Sequence, residues 1–185
     1  MDDGSTDNSR NIACELNVQA LRHATNLGKG AALKTGVEYA FSKGATTIIT
    51  MDGDGQHNPK DIGKFLKEIS QGYEVVLGTR QCLGKTPKIR TMGNRTISQL
   101  IKLFLGKCVE DPLCGFRAFT KKAYSKIWWN SSDYGVETEQ IVKIIKQRIK
   151  YNLIEVESSY LDNYKGVTII DAFRVLIKLP CWFIS

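Results

Sequence analysis

Two aspartates separated by one glycine, Asp52 and Asp54, are the residues of this sequence whose types and spacing most directly suggest chemistry. They follow a β-branched run at 46–49, which is typical of a buried strand. In an open α/β sheet, ligands bind beyond the carboxyl ends of the strands. The predicted strand therefore delivers both carboxylates to the edge of a sheet where a ligand can bind.

The chemistry that this pair suits is the binding of a hard metal ion. Carboxylate oxygens are ligands for Mg²⁺ or Mn²⁺, and these ions keep coordination positions open for phosphate oxygens. The spacing indicates a site for a divalent metal and a diphosphate near residue 52. An acidic turn after a strand is the alternative, because Asp and Gly are common turn residues. The short motif alone leaves both interpretations open.

The charge of the chain is unevenly distributed. Its 185 residues, 42% of them hydrophobic, have a net charge of +7 and are enough for one domain. A block without any acid contains Arg80, Lys85, Lys88, Arg90, Arg95, Lys102 and Lys107. Such a block indicates nucleic acid, membrane headgroups or a phosphorylated substrate as partner, or simply a solvated positive face. No nucleic-acid-binding motif or aromatic stacking platform accompanies it, so we expect no nucleic-acid partner.

The cysteines and the apolar segments suggest a cellular setting. The five cysteines form no CxxC pair, which indicates reduced thiols in the cytosol and neither a disulfide framework nor a zinc site. No apolar run reaches the roughly 20 residues that span a bilayer. The apolar tail over 169–185 is interrupted by charges and is expected to form a buried amphipathic helix or to lie on a membrane surface.

The order of predicted elements indicates an α/β fold. Strands are predicted over 18–23, 46–51, 74–77, 115–119 and 153–158. Helices are predicted over 5–17, 28–42, 59–69, 97–105, from residue 121, over 136–147 and over 168–179. Repeated β-α-β units of this size predict a mostly parallel sheet with helices on both faces.

Five short motifs are spread across nearly the whole chain. They are Asp-Asp-Gly-Ser-Thr-Asp at 2–7, Asn-Leu-Gly-Lys-Gly-Ala-Ala at 26–32, Asp-Gly-Asp-Gly-Gln-His at 52–57, Gly-Thr-Arg at 78–80 and Asp-Pro-Leu-Cys-Gly-Phe-Arg at 111–117. In this order they resemble the family-2 glycosyltransferases, which have the GT-A nucleotide-diphospho-sugar transferase fold. Within that family the chain is most similar to the polyprenyl-phosphate (dolichyl-phosphate) mannosyl- and glucosyltransferases.

The resemblance implies a GDP- or UDP-sugar as donor and Mg²⁺ or Mn²⁺ as cofactor. The implied nucleotide-sugar-binding residues are Asp2, Asp3, Asp52, Gly53, Asp54 and Gln56. In the family's pattern Asp3 contacts the base or the ribose, and Asp52 faces the ribose or the metal. Asp54 ligates the metal, and Gln56 supports the metal and the diphosphate. The metal offsets the charge on the leaving nucleoside diphosphate as a Lewis acid.

The resemblance also implies a polyprenyl (dolichyl) phosphate as acceptor. Arg80, Arg90 and Asn94 are expected to grip this phosphate, since guanidinium groups pair bidentately with phosphate oxygens. Arg117 either reaches the phosphate or braces the sheet. A lipid phosphate is ionised near pH 7, so it can attack without a general base, and attack opposite the diphosphate inverts the anomeric centre.

A saccharide hydroxyl is the alternative acceptor, and it needs a carboxylate base within hydrogen-bond reach. Glu137 and Glu139 are the candidates, because in the family an acid of this helix lies near the acceptor, and Asp111 is a third. The catalytic residues predicted from the sequence are therefore Asp52, Asp54, Asp111 and Glu139. A solvated helix face is the other interpretation of the two glutamates.

We expect one glycosyltransferase domain over 1–185, with a nucleotide-sugar-binding part over 1–80 and an acceptor-binding part over 81–185. The family normally has a strand and a helix ahead of its first acidic motif, so the fold is expected to be N-terminally truncated, which exposes a sheet edge. Mannosyl-phosphate synthases tend to carry an Arg and a Ser-Lys where this chain has Asn163, Thr168 and Ile169. The identity of the sugar therefore stays open.

The leading prediction is a metal-dependent, inverting sugar transfer to a polyprenyl phosphate by a protein that is peripheral at the cytoplasmic face of a membrane. The predicted helix over 97–105, flanked by Lys102 and Lys107, is the candidate for membrane contact because basic residues beside an apolar face favour anionic lipid surfaces. Transfer to a saccharide hydroxyl is one alternative. An inactive remnant that binds a partner chain or a membrane is the other.

Overall fold

The computed structural model describes residues 1–16, 18–82, 88–158 and 177–183, with the backbone alone for residues 81, 82 and 88–91. The helices are α1 (Ser9–Glu15), α2 (Lys29–Ser42), α3 (Ile62–Ser70), α4 (Lys88–Leu105), α5 (Lys121–Ile127) and α6 (Val136–Lys146). A 3₁₀ turn (Pro59–Asp61) leads into α3, and residues 177–183 are also helical. The strands are β1 (Thr47–Thr50), β2 (Val75–Cys82), β3 (Arg117–Thr120) and β4 (Tyr151–Ser158).

The four strands form one mixed sheet in the order β1-β3-β2-β4. β2 and β4 are parallel, and β3 is antiparallel to both of its neighbours, β1 and β2. Three strands therefore point the same way, in line with the predicted mostly parallel sheet, while β3 runs against them. Because Thr50 is the partner of Arg117, the end of β1 and the start of β3 meet at one edge of the sheet.

Helices cover both faces of the sheet, as predicted for this α/β fold. Val75 and Leu77 of β2 point into a large core cluster with α2, α4, α5 and α6, while Val76 points to the opposite face. On that opposite face Phe65 of α3 stacks on Phe116 with ring centroids 4.3 Å apart. This alternation follows from the two-residue period of a strand, so both faces of β2 are buried.

Two predicted elements near the first acidic motif are wrong or shifted. The strand predicted over 18–23 is reduced to an isolated parallel bridge between Asp2 and Arg22. The helix predicted over 5–17 begins only at Ser9, because the carboxylates of Asp2 and Asp7 accept hydrogen bonds from the backbone N–H groups of Ser5 and Ser9. Such local Asx turns compete with helix formation, so residues 2–8 form turns instead.

The other predicted helices agree with the structure to within a few residues, with one extension. The helix predicted over 97–105 starts earlier, at Lys88, and so has 18 residues. The last predicted helix, over 168–179, lies mostly outside the described residues, of which 177–183 are helical. Within the described part of the chain, none of the helices combines the length and the apolar character needed to cross a membrane.

Candidate active site

The end of β1 positions the two aspartates against the segment that leads into β3. The hydroxyl of Thr50, the last residue of β1, donates to the carbonyl oxygen of Gly115 at 2.9 Å. A Cβ atom at Gly115 would lie 2.6 Å from Oδ2 of Asp52, too close for any side chain. Glycine at this position therefore allows the Asp52 carboxylate to pack directly on the backbone beside β3.

Lys29 links Asp52 to helix α6. Its Nζ atom lies 2.6 Å from Oδ1 of Asp52 and 2.6 Å from Oε1 of Glu137. The Glu137 side chain is 4% exposed, against 22% for Lys29 and 23% for Asp52. One ammonium group thus joins the carboxylate at the end of β1 to a buried carboxylate of α6.

The glycines on both sides of Lys29 explain how its side chain reaches this position. Gly28 has φ +98°, a conformation that is costly for residues with a side chain. A Cβ atom at Gly30 would lie 2.0 Å from the carbonyl oxygen of Ser131. The backbone N–H groups of Gly30 and Ala31 donate to the Ser132 carbonyl oxygen at 2.8 and 3.2 Å. The start of α2 is therefore docked on the loop before α6, with Lys29 directed at Asp52.

Lys29 and Asp52 each stabilise the charged form of the other. Burial disfavours the ammonium form of Lys29, but Glu137 and Asp52 outweigh this effect and raise the pKa of Lys29 above its ordinary value. Burial likewise disfavours the carboxylate form of Asp52, but Lys29 outweighs it and lowers the pKa of Asp52. Lys29 and Asp52 are therefore both ionised at neutral pH.

Asp54, Gln56 and His57 form the turn beyond Asp52. Oδ1 of Asp54 accepts a hydrogen bond from the backbone N–H of Gln56 at 3.0 Å. The buried His57 ring lies with Nδ1 3.4 Å from the backbone nitrogen of Asp52, which makes Nδ1 the acceptor. Burial lowers the pKa of His57, so the ring is neutral at pH 7 with its proton on Nε2. A Cβ atom at Gly53 would meet no described atom within 4 Å.

The side chains of this turn fit a divalent metal that arrives with a diphosphate. Two carboxylates one residue apart, both partly exposed, provide hard oxygen ligands. In the described part of the chain, no cluster of three or more His, Cys, Asp or Glu side chains is arranged to hold a metal. Mg²⁺ is typically bound by one or two carboxylates together with substrate phosphates and water. The donor set of Asp52 and Asp54 matches that mode of binding.

Asp3 fixes the backbone that leads into α2, and Asp2 fixes the first acidic motif. The Asp3 carboxylate accepts hydrogen bonds from the backbone N–H groups of Leu27 and Gly28, at 3.0 and 2.8 Å, and lies 2.7 Å from Nδ1 of His23. Asp2 accepts from the Ser5 N–H. Asp3 thus stabilises the segment just before Lys29, whereas Asp2 stabilises the turn at Ser5. The contacts of both residues with a nucleotide remain predictions.

Arg80, Asn94 and Asp111 form a second cluster at the end of β2. Nε and Nη2 of Arg80 donate to the two Asp111 oxygens, each at 2.6 Å, and Asn94 Nδ2 donates to Oδ1 of Asp111 at 2.7 Å. The Arg80 side chain is 3% exposed. Asp111 and Gly115, which packs on Asp52, belong to the same short segment before β3, so the two clusters are neighbours. The structure therefore brings these three predicted residues together, around Asp111.

Arg117 is buried under this site. Its guanidinium donates to the carbonyl oxygens of Cys114, Glu137 and Pro112, each at 2.8 Å, and to Oε1 of Gln140 at 3.0 Å. Of the two roles weighed for this residue, these contacts favour bracing, because the guanidinium joins the segment before β3 to α6. The backbone of Arg90 belongs to α4, and its side chain lies outside the described residues.

Glu139 is directed away from Asp52. Its carboxylate accepts hydrogen bonds from the backbone N–H groups of Asn130 and Ser131 and from the Ser131 hydroxyl, and it pairs with Lys143 at 2.8 Å. Burial opposes its charge, but these partners lower the pKa of Glu139. Of the two glutamates weighed as bases, Glu137 is therefore the one beside Asp52. No role for Lys29 was predicted from the sequence. A lysine between two glycines at the start of a helix is the signal that could have indicated one.

Comparisons with known proteins agree with this architecture. The family model for glycosyl transferase family 2 matches residues 1–128. An uncharacterized protein of Methanocaldococcus jannaschii, MJ1222, is 34% identical over 188 residues, which cover 97% of this chain and 77% of that protein. The UDP-N-acetylglucosamine–dolichyl-phosphate N-acetylglucosaminyltransferase of Methanococcus voltae is 30% identical over 205 residues, which cover 97% of this chain and 82% of that enzyme.

A solved structure has the same fold. It is glucosyl-3-phosphoglycerate synthase from Mycobacterium tuberculosis in complex with Mn²⁺, UDP and glucosyl-3-phosphoglycerate, with a TM-score of 0.77 and 16% sequence identity. The match covers 98% of this chain and 67% of that enzyme, so the chain spans only part of its length. The motifs, the family match and the fold together show that the chain belongs to glycosyltransferase family 2 and has the GT-A fold.

Proposed function

We propose that this glycosyltransferase moves a sugar from a nucleoside diphosphate sugar to a polyprenyl phosphate with inversion at the anomeric carbon. The observation that supports it best is that one segment, 111–115, contacts both clusters. Its Gly115 packs on Asp52 beyond the end of β1, and its Asp111 binds Arg80 and Asn94. A donor site for a metal and a diphosphate thus adjoins a cluster rich in hydrogen-bond donors. This arrangement suits the transfer of a sugar between two phosphates.

Asp52 and Asp54 would hold the divalent metal, and Gln56 lies in the same turn. When bound, Mg²⁺ or Mn²⁺ supplies Lewis-acid neutralisation of the charge on the departing diphosphate. The mycobacterial enzyme of the same fold was crystallised with Mn²⁺ and UDP and also with Mg²⁺ and UDP, which supports a divalent metal and a nucleotide here. Asp2 and Asp3, of which Asp3 fixes the loop before α2, complete the proposed nucleotide-sugar site.

The proposal of a polyprenyl phosphate acceptor is supported by a similar enzyme and by the ionisation of a phosphate at neutral pH. The Methanococcus voltae enzyme is named for its dolichyl-phosphate acceptor. In the proposed step, an oxygen of the acceptor phosphate forms a bond to the anomeric carbon while the bond from that carbon to the diphosphate breaks. The attacking phosphate is already ionised near neutral pH, so no proton has to be removed from it. Arg80, Arg90 and Asn94 remain the proposed partners of this phosphate.

A saccharide hydroxyl is the second candidate acceptor, and one observation favours it. The buried Glu137 carboxylate lies at the site, in contact with the Lys29 ammonium. A hydroxyl acceptor must lose its proton, and a carboxylate placed at the site can take it. Asp111 is a poorer choice for this role, because both of its oxygens accept short hydrogen bonds from Arg80.

We further propose that the protein is peripheral at the cytoplasmic face of a membrane. Leu103 and Phe104 near the end of α4 are 77% and 58% exposed, and Phe104 stacks on Phe183 with ring centroids 4.6 Å apart. Lys102 and Lys107 are exposed beside them. Apolar side chains flanked by lysines suit an anionic lipid surface, and a membrane is where a polyprenyl phosphate resides. We call these five residues the α4 patch.

The test is a transfer assay with the purified chain, a panel of UDP- and GDP-sugars, dolichyl phosphate and Mn²⁺, with detection of the lipid-linked product. Asp54→Asn should lower the rate of transfer at least about 100-fold, because it weakens binding of the metal that stabilises the leaving diphosphate. The exposed Glu15 at the end of α1 provides the control, and Glu15→Gln should leave the rate unchanged. Full activity in Asp54→Asn, or transfer that is undiminished by a metal chelator, would contradict the metal assignment.

A further inference from the structure

We propose that Lys29 is a positioning residue that holds Asp52 and Glu137 in place and keeps a divalent metal from binding until a nucleoside diphosphate brings it in. The inference rests on the proposed function, since it assumes that Asp52 and Asp54 bind the metal. It goes beyond that function because it assigns a role to Lys29 and an order to the binding of metal and nucleotide.

The geometry shows that Lys29 already pairs with one of the two carboxylates that would hold the metal. Its Nζ atom is 2.6 Å from Oδ1 of Asp52, so that this oxygen already has a cationic partner. The other side of the Asp52 carboxylate packs on the backbone of Gly115, where a Cβ atom would lie 2.6 to 2.7 Å from the two oxygens. The carboxylate is therefore held between Lys29 and Gly115 in a single orientation.

The position of Lys29 is itself built into the fold. The residue is the first of α2, and the docking of Gly30 and Ala31 on the Ser132 carbonyl oxygen fixes the start of that helix. Its second partner, Glu137, is only 4% exposed. Removing Lys29 would therefore leave two carboxylates facing each other without the cation between them, which costs free energy.

The charges at the site favour a metal ion bound to a nucleotide over a free metal ion. A free divalent ion would approach the fixed positive charge of Lys29 at short range, and Lys29 already neutralises part of the charge of Asp52 and Glu137. Like charges a few ångströms apart repel each other more strongly in a partly buried site than in water. A bound nucleoside diphosphate would add negative charge to the site and offset this repulsion. The metal is therefore expected to enter with the nucleotide and not ahead of it.

Binding of Mn²⁺ in the absence of any acceptor tests this inference directly. The free Mn²⁺ signal in electron paramagnetic resonance is followed during titration of the wild type, Lys29→Gln and Lys29→Met, first without and then with UDP. Without UDP, both variants should bind Mn²⁺ at least about tenfold more tightly than the wild type, because the repelling charge is gone. Lys29→Arg keeps the charge and should bind Mn²⁺ as weakly as the wild type.

Lys34 supplies the matched control on the same helix. Its Nζ atom lies 3.7 Å from the centre of the Trp128 ring, so Lys34→Gln removes a lysine charge from α2 without touching the site. This variant should bind Mn²⁺ like the wild type. A merely structural role for Lys29 would lower the thermal unfolding temperature of Lys29→Gln, but it would not tighten Mn²⁺ binding without nucleotide.

Two outcomes would overturn the inference while leaving the proposed function intact. One is that the wild type binds Mn²⁺ without UDP as tightly as with UDP, which needs no variant and so does not depend on how the substitutions fold. The other is that folded Lys29→Gln or Lys29→Met shows no gain in Mn²⁺ affinity. Failure of every protein to bind Mn²⁺, with or without UDP, would overturn both this inference and the proposed donor site.

Discussion

Glu137 and Glu139 lie two residues apart on α6, yet their carboxylates belong to different parts of the molecule. Oε1 of Glu137 is 2.6 Å from Nζ of Lys29, whereas the Glu139 carboxylate accepts hydrogen bonds from Asn130 and Ser131. Residues two apart on an α-helix differ by about 200° in direction, so only one of them can face the end of β1. Glu137 faces it, and Glu139 holds the loop on which α2 docks.

This division makes Glu137 the residue that discriminates between the two proposed acceptors. With a polyprenyl phosphate no base is needed, so Glu137→Gln should lower the transfer rate by less than about tenfold. With a saccharide hydroxyl the same change should cost about 100-fold or more, the usual contribution of a general base. The measurement is the ratio of kcat for Glu137→Gln and the wild type on each acceptor class.

Glu139→Gln is the matched control for that experiment. It removes the same charge from the same helix, but from a carboxylate that binds Ser131 and Lys143. We expect a lower free energy of unfolding, by about 1–3 kcal/mol, and an unchanged kcat of the folded fraction. If Glu139→Gln abolished transfer without loss of stability while Glu137→Gln did not, Glu139 and not Glu137 would be the base.

The sequence was sufficient to locate β1 and the two aspartates. A β-branched run followed by alternating Asp and Gly has one natural placement in an α/β fold, and Asp52 and Asp54 lie at the end of β1 accordingly. The motif order also indicated the family. These predictions succeeded because strand propensity and turn chemistry are properties of short segments.

The contacts between distant segments could not be predicted in the same way. Nothing local in a four-residue strand states its direction, so the antiparallel insertion of β3 was not foreseen. Two glutamates on one helix cannot be ranked before the neighbours of that helix are known. The partnership of Lys29 with Asp52 and Glu137 joins positions far apart in the chain, and it becomes visible only when α2, β1 and α6 are assembled.

The Asp111–Arg80 pair predicts a pH dependence of stability. Burial would raise the pKa of Asp111, but the hydrogen bonds and the charge of Arg80 outweigh it and place the pKa below the ordinary 3.8. Because the folded-state pKa is depressed, the pair contributes stability above about pH 3.8 and loses it as the pH falls toward the folded-state pKa. Asp111→Asn leaves Arg80 buried without its charge partner and should be strongly destabilised at neutral pH, by about 3–5 kcal/mol.

Thermal unfolding between pH 7 and pH 3 checks this prediction. The difference in Tm between the wild type and Asp111→Asn should be largest near neutral pH and should shrink below about pH 3.8. Glu110 is the exposed neighbour in sequence, and Glu110→Gln should follow the wild-type curve at every pH. A difference in Tm that stays constant down to pH 3 would show that the ion pair does not contribute to stability in this way.

Arg117 is expected to stabilise the fold and not to bind the acceptor. One lysine ammonium cannot reach all four oxygens that the Arg117 guanidinium binds, so Arg117→Lys leaves buried carbonyl groups without donors. We expect the free energy of unfolding to fall by about 3 kcal/mol, as measured by urea denaturation, while KM for the acceptor stays the same. The exposed Arg95 provides the control Arg95→Lys. A raised acceptor KM with unchanged stability would instead favour contact with the phosphate.

The α4 patch predicts which side chains contact lipid. Ile97 and Ile101 anchor α4 in the core, so Leu103 and Phe104 can be changed without opening the interior. Insertion of two such side chains into a membrane contributes a few kcal/mol. The double variant Leu103→Ser, Phe104→Ser should therefore bind vesicles containing phosphatidylserine at least about tenfold more weakly in a cosedimentation assay.

A control variant and the salt dependence distinguish lipid contact by the α4 patch from a general effect of exposed apolar side chains. Leu66 of α3 is 50% exposed and lies on the other face of the sheet, so Leu66→Ser should leave vesicle binding unchanged. Because Lys102 and Lys107 act through charge, binding should weaken as the salt concentration rises. Equal vesicle binding by the wild type and the double variant would exclude the α4 patch as the lipid contact.

Transfer to a short, water-soluble polyprenyl phosphate should be unaffected by the double variant, because the α4 patch is proposed to bind the membrane and not to take part in sugar transfer.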